Sequence, residues 1–127
     1  MPLVRIDLRE GTSAADRRAI ADAVHQALVE TMGVPADDRF QVISEHTREG
    51  LIYDQTYLGI ARTDAVIFIQ ITLSAGRKPA QKRALYARIT ELLTREPGVR
   101  AQDIVINLIE VAWENWSFGD GEAQYTQ

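Results

Sequence analysis

Pro2 is the residue whose chemistry depends most on its place in the chain. It directly follows the initiator Met, and a residue this small is normally exposed by removal of that Met. The product is a secondary amine at the head of a strand. Such an amine acts as a base, an acid or an iminium-forming nucleophile according to its pKa; the plain alternative is that Pro2 marks Met1 removal and nothing more. Two carboxylates follow in Val34-Pro35-Ala36-Asp37-Asp38-Arg39-Phe40. By spacing alone they read as loop acids that start a strand. Arg77 stands just before a helix, where a cation is electrostatically disfavoured and an anion favoured. It is either a solvated cation or one held against an anionic ligand. Trp116, Phe118 and Tyr125 lie in a tail turned by Gly119 and Gly121 and show no core period. They form either a pocket wall or a contact with a neighbouring subunit. His25 reads as a surface residue and His46 as a structural one at a strand end, with a pocket-lining role as its alternative. Neither has a partner at metal-ligand spacing. The chain has no Gly-rich phosphate loop and no serine elbow.

The elements that must position these residues follow from hydrophobic period. Val4, Ile6 and Leu8 alternate with Arg5 and Asp7, as on a strand with unlike faces. Ser13 caps a helix over 13–32 whose apolar positions are Ile20, Val24, Ala27, Leu28 and Met32, and Gly33 ends it with a residue free to take positive φ. Phe40–Glu45 reads as a second strand. Val66–Leu73 is almost entirely apolar and β-branched, as expected of a strand covered on both faces. Pro79 suits the first turn of a second helix, where a missing N–H costs nothing. That helix carries Leu85, Ile89, Leu92 and Leu93 and ends at Pro97-Gly98, and Asp103–Glu110 closes the pattern. The chain thus reads as βαβ (2–46), linker (47–64), βαβ (65–111) and tail (112–127). The expected fold is α/β, with two βαβ units forming a four-stranded sheet and both helices on one face. The uncovered face is expected to be apolar beneath 66–73, so assembly into a homotrimer is the expected remedy.

Composition bounds the function. At 127 residues, 46% hydrophobic and 25% charged, a single soluble domain is expected. A net charge of −4 argues against nucleic acid and against anionic membranes. No cysteine is present, hence no thiolate nucleophile or disulfide frame. The N-terminus lacks a signal-peptide pattern and no apolar run approaches the ~20 residues of a membrane span, which together suggest a cytoplasmic protein.

Together, PLVRIDLREG at 2–11, VPADDRFQVISEH at 34–46, LGIART at 58–63 and NWSFGDGEAQY at 115–125 resemble the tautomerase superfamily, and within it the malonate semialdehyde decarboxylase branch. The resemblance covers nearly the whole chain. It implies that Pro2 is the catalytic amine with Asp38, directly before Arg39, beside it, and that Asp37 is only a loop acid. It implies a pocket wall from Trp116, Phe118 and Tyr125. The family decarboxylase carries two arginines at places matched here by Ser74 and Gly76, so Arg77, one position later, is the residue implied for the substrate carboxylate. The implied activity is cofactor-free and metal-free decarboxylation of a small carboxylate-bearing β-oxo acid. Keto–enol tautomerisation, hydration of an unsaturated acid and a non-catalytic trimeric binding protein stand as alternatives.

Overall fold

The computed structural model describes residues 2–126. Its strands are β1 (Leu3–Arg9), β2 (Phe40–His46), β3 (Ile67–Ser74) and β4 (Ile104–Val111), and its helices are α1 (Ala14–Met32) and α2 (Pro79–Arg95). Each lies within a residue or two of its sequence expectation. Ser13 caps α1 by accepting the Asp16 N–H at 3.0 Å, and Gly33 ends it at φ 67°. Pro79 opens α2. No helix among the described residues is long and apolar enough to cross a membrane.

The sheet runs β2-β1-β3-β4. β1 is parallel to β2 and β3 to β4, while β1 and β3 are antiparallel, with Leu3 opposite Thr72. This mixed order has a direct consequence. β1 and β2 begin, and β3 and β4 finish, at the same end of the sheet. α1 finishes there too, and α2 begins there. Pro2, the 33–39 loop, the 74–78 connection and the tail are thereby gathered at one end, though the sequence separates Pro2 from the tail by more than a hundred positions.

The core lies between the helices and one sheet face. Val4, Ile6, Leu8, Ile69 and Ile71 from the sheet meet Val24, Leu28, Leu85, Ile89 and Leu93 from the helices, all nearly free of solvent contact. Burial of such side chains stabilises by about 1.5–3 kcal/mol each. Arg88 of α2 reaches Glu30 of α1 at 2.5 Å and joins the helices at their rim.

The other face corrects one expectation. It is not uniformly apolar beneath β3. Arg5, Gln70 and Asn107 stand in register across its middle, Gln70 is exposed, and its amide donates to Asn107 Oδ1 at 3.0 Å. Apolar residues flank this polar row, including Phe40 and Val42, which are 48% and 42% exposed. The period-2 alternation of β3 was hidden because Phe68 and Thr72 are themselves good strand formers.

Candidate active site

Pro2 is buried and immediately precedes β1, a central strand. Continuing the registers by one residue sets it between Arg39 on the β2 side and Leu73 on the β3 side. Met1, whose removal would free the amine, lies outside the described residues.

The loop carrying the two acids is tied down from several directions. The Asp38 N–H donates to Pro35 O at 3.0 Å, closing a turn. The His25 ring bonds Ala36 O at 2.9 Å. Arg39 bonds Asp22 at 2.7 Å and Gln41 at 2.8 Å, and Gln41 in turn donates to Ala21 O. Held this way, Asp38 is half-buried while its neighbour Asp37 is exposed. The environment thus separates two acids that spacing could not. His25, at the surface as expected, also fastens α1 to this loop.

On the other flank, β3 ends in Ser74, which is fully buried. Its hydroxyl accepts the Trp116 indole N–H at 3.0 Å. Trp116 stacks on Phe118 at 5.3 Å and 10°, Phe118 meets Phe40 of β2 at 5.7 Å and Tyr125 at 5.0 Å, and Tyr125 meets Trp113 edge-on. Gln124 closes the turn between them by accepting the Phe118 N–H and donating to Gly119 O, both at 2.9 Å. A tail seated on Ser74 of β3 and on Phe40 of β2 must cross the head of β1 between them. The three tail aromatics of the sequence reading therefore come together, at the Pro2 end.

Arg77 is at the same end, in surroundings the sequence did not foresee. Its guanidinium donates to Ser74 O at 3.3 Å and Met32 O at 3.5 Å. The charged head therefore rests at the C-terminal end of α1, where a cation is favoured, and not over the start of α2. Among the described residues it has no carboxylate partner. A guanidinium carries five N–H donors, and two long contacts leave donors for an anion.

His46 and the polar residues of the 47–64 linker lie elsewhere. His46 pairs with Asp7 at 2.6 Å, next to Arg9 in the register and so at the opposite end of the sheet. Arg62 donates to the carbonyls of Asp54, Tyr57 and Ile60 and braces the linker. Tyr53, Asp54 and Tyr57 line a hollow with Phe68 and Val105, again away from Pro2. Sequence reasoning missed Phe40 and Gln124. An apolar residue starting a strand, or a tail glutamine, gives no signal before the tail's path is known.

Two family models, both described as tautomerase enzyme, match residues 38–119 and 2–60. Probable tautomerase YusQ of Bacillus subtilis (strain 168) is 42% identical over 124 residues, covering 98% of each chain. Probable tautomerase YrdN of the same organism is 35% identical, over 98% of this chain and 96% of its own. Among solved structures, FG41 malonate semialdehyde decarboxylase inhibited by 3-bromopropiolate superposes with a TM-score of 0.92 at 45% identity, over 97% of this chain and 93% of that one. A second malonate semialdehyde decarboxylase gives 0.91 at 35% identity, over 97% and 95%. A fused 4-OT symmetric trimer, at 19% identity and a TM-score of 0.78 over 94% of each chain, shares the fold.

Proposed function

The chain belongs to the tautomerase family, and from that premise we propose that it is a cofactor-independent decarboxylase of a small β-oxo acid, of the malonate semialdehyde type. The observation that carries this reading is the convergence, at one end of the sheet, of a buried Pro2, a half-buried Asp38, an arginine with no carboxylate partner among the described residues and an aromatic cover. Likeness to two malonate semialdehyde decarboxylases at 35% and 45% identity supports it.

Loss of CO₂ from a β-oxo acid drives the electron pair of the breaking C–C bond into the carbonyl, leaving an enolate. A cationic hydrogen-bond donor at that oxygen lowers the barrier. After Met1 removal, protonated Pro2 is that donor. An α-amino group titrates near about 8, and the Asp38 carboxylate favours its charged form. Arg77 holds the substrate carboxylate by charge-assisted hydrogen bonds and turns it out of the carbonyl plane. Trp116, Phe118 and Tyr125 exclude water and favour the spread of the carboxylate's charge into the enolate and its neutralisation by the Pro2 proton. Protonation of the enolate carbon then gives the aldehyde.

The working unit in this proposal is a homotrimer whose open sheet faces line a central barrel, with the apolar rows of each face covered by its neighbours. Light scattering at micromolar protein is expected to give three times the chain mass, and a monomer would remove this part.

The naming of two relatives as probable tautomerases favours a second reading, in which neutral Pro2 acts as a base on an enol. One experiment separates the two. Intact mass first establishes that Met1 is absent, and the Pro2 amine is then titrated by NMR while turnover is followed on malonate semialdehyde and on phenylpyruvate. The decarboxylase reading requires an amine protonated at pH 7 and CO₂ release faster than tautomerisation. An amine neutral at pH 7 with tautomerisation alone overturns it.

A further inference from the structure

We propose that Ser74 is a positioning residue, whose hydroxyl sets the aromatic cover against the Pro2 end by holding the indole of Trp116. The kinetic part of this inference rests on the function proposed above; the structural part does not.

Beyond β4 the described residues of the tail contain one 3₁₀ turn (Trp113–Asn115) and no strand or longer helix. Backbone turns at 112–115, 119–122 and 123–126 shape it locally, and side-chain contacts seat it on the sheet in a linked series. Trp116 is nearly coplanar with Phe118, Phe118 leans on both Phe40 and Tyr125, and Tyr125 meets Trp113. Each ring takes its orientation from the next, so a series of this kind needs fixed points. Phe40, on a strand, is one, but ring contact at 5.7 Å and 34° lets a ring slide. The hydrogen bond from Trp116 Nε1 to Ser74 Oγ is the directional one. An indole N–H is a donor only, so it has one way to be satisfied here, and that way fixes the ring plane.

Ser74 is suited to be the reference point. It ends β3, pairs in register with Val111 of β4, is fully buried, and is followed by an Ala75 N–H bonded to Val111 O at 2.9 Å. Its backbone is thereby held by the sheet. The same residue's carbonyl accepts from Arg77, so one strand end fixes both the aromatic cover and the guanidinium. The side chain positions the cover and the backbone steadies the arginine. Only the first of these is open to substitution.

The test compares Ser74→Ala with Ser74→Thr, which restores the hydroxyl. With Trp113→Phe added so that Trp116 is the sole tryptophan, Ser74→Ala is expected to shift emission to the red and increase acrylamide quenching, and Ser74→Thr to keep both near the parent. With Trp113 in place, Ser74→Ala is expected to lose about 2–10-fold in kcat/KM, as for one neutral hydrogen bond. The loss should lie mainly in KM, with the pH profile unmoved because no charged group is altered, and Ser74→Thr should recover most of it. Unchanged emission and quenching in Ser74→Ala overturn the inference. So does a spectral change without a kinetic one, which leaves Ser74 merely structural, and so does a threonine variant as impaired as alanine. Should Ser74→Ala fail to fold, Trp116→Phe removes the same bond from the other side and must show the same KM loss. If the natural chain turns over neither malonate semialdehyde nor phenylpyruvate, the functional reading alone falls, and the emission result decides the anchor.

Discussion

The two ends of the sheet are built on one plan and finished differently. At one end Pro2 precedes β1 and Asp38 stands just ahead of β2. At the other, Val66 precedes β3 and Asp103 stands just ahead of β4. At the Val66 end every one of these groups is spoken for. The Val66 N–H donates to Thr63 O at 3.1 Å. Asp103 is fully buried and accepts from the Thr63 N–H at 2.7 Å, its hydroxyl at 2.6 Å and Arg100 at 3.3 Å. Arg9 pairs with Asp64 at 2.8 Å, Arg17 with Glu45 at 2.7 Å and His46 with Asp7 at 2.6 Å. The Tyr53 hydroxyl, with Arg9 and Arg48 beside it, holds the Asp64 carboxyl below its usual range, and the same bond pushes Tyr53 up. At the Pro2 end, Arg77 has two long carbonyl contacts and, among the described residues, no carboxylate. A matched set of charges holds a loop, whereas on the proposed function the cation at the Pro2 end is there for an anion that arrives with a ligand.

The contrast is sharpest if one end can be disabled without the other. Pro2→Ala is expected to fold normally and to lose on the order of 10²–10⁴-fold in turnover, the range for a positioned proton-transfer group. Some activity should survive, because a primary amine can still be protonated. Turnover like that of the natural chain would move the chemistry away from this end altogether. Arg77→Ala is expected to lose roughly ten- to a hundredfold in kcat/KM on a carboxylate substrate, as one charge-assisted contact of about 1.5–3 kcal/mol requires. Asp38→Asn should instead change kcat and its pH profile. Steady-state kinetics across pH distinguishes them, and an Arg77→Ala variant with untouched kcat/KM would make Arg77 as structural as Arg62.

At the far end the expected losses are in stability. Asp103→Ala removes the fully buried carboxylate that accepts the Thr63 N–H and hydroxyl and should cost about 1–3 kcal/mol, read by urea unfolding, with turnover per folded molecule retained. Asp64→Asn should have the smallest effect, and one that depends on pH. Because the folded state holds this carboxyl below its unfolded pKa, its contribution is complete above the unfolded value and disappears as pH falls through the folded one. The melting temperatures of Asp64→Asn and the natural chain should therefore differ at neutral pH and converge in acid. A difference that persists at low pH would show that the carbonyl geometry, not the charge, holds the linker.

The elements were legible because each carries a local signal, such as the Ser13 cap, Gly33, Pro79 and the apolar stripe of α2. The expectation of Asp38 over Asp37 came only from the family motif; the structure sets Asp38 half-buried, in a loop pinned by His25 and Arg39, and leaves Asp37 exposed. Two things were hidden. The polar row Arg5–Gln70–Asn107 exists only once three strands are in register, so no single segment announces it. The setting of Arg77 was misjudged from its neighbours along the chain, because the carbonyl that receives it, Met32 O, is 45 positions away. Sequence shows where a side chain starts; which helix end it reaches depends on the order of strands.

That order also makes the fold indifferent to a choice it must nonetheless make. With β1 and β3 antiparallel, the residue heading each half is presented at an opposite end, each beside an acid that introduces the next strand. A backbone nitrogen inside a chain is an amide and carries no basic lone pair, so at most one of the two heads can offer an amine. Circular permutation, with the present ends joined and the chain opened before Val66, would exchange them. The amide at position 2 would become inert and an amine would appear next to Asp103, in a setting whose hydrogen bonds are now closed around the linker. On the proposed function, reactivity in this architecture belongs to the place where the polypeptide is opened, not to the sheet itself.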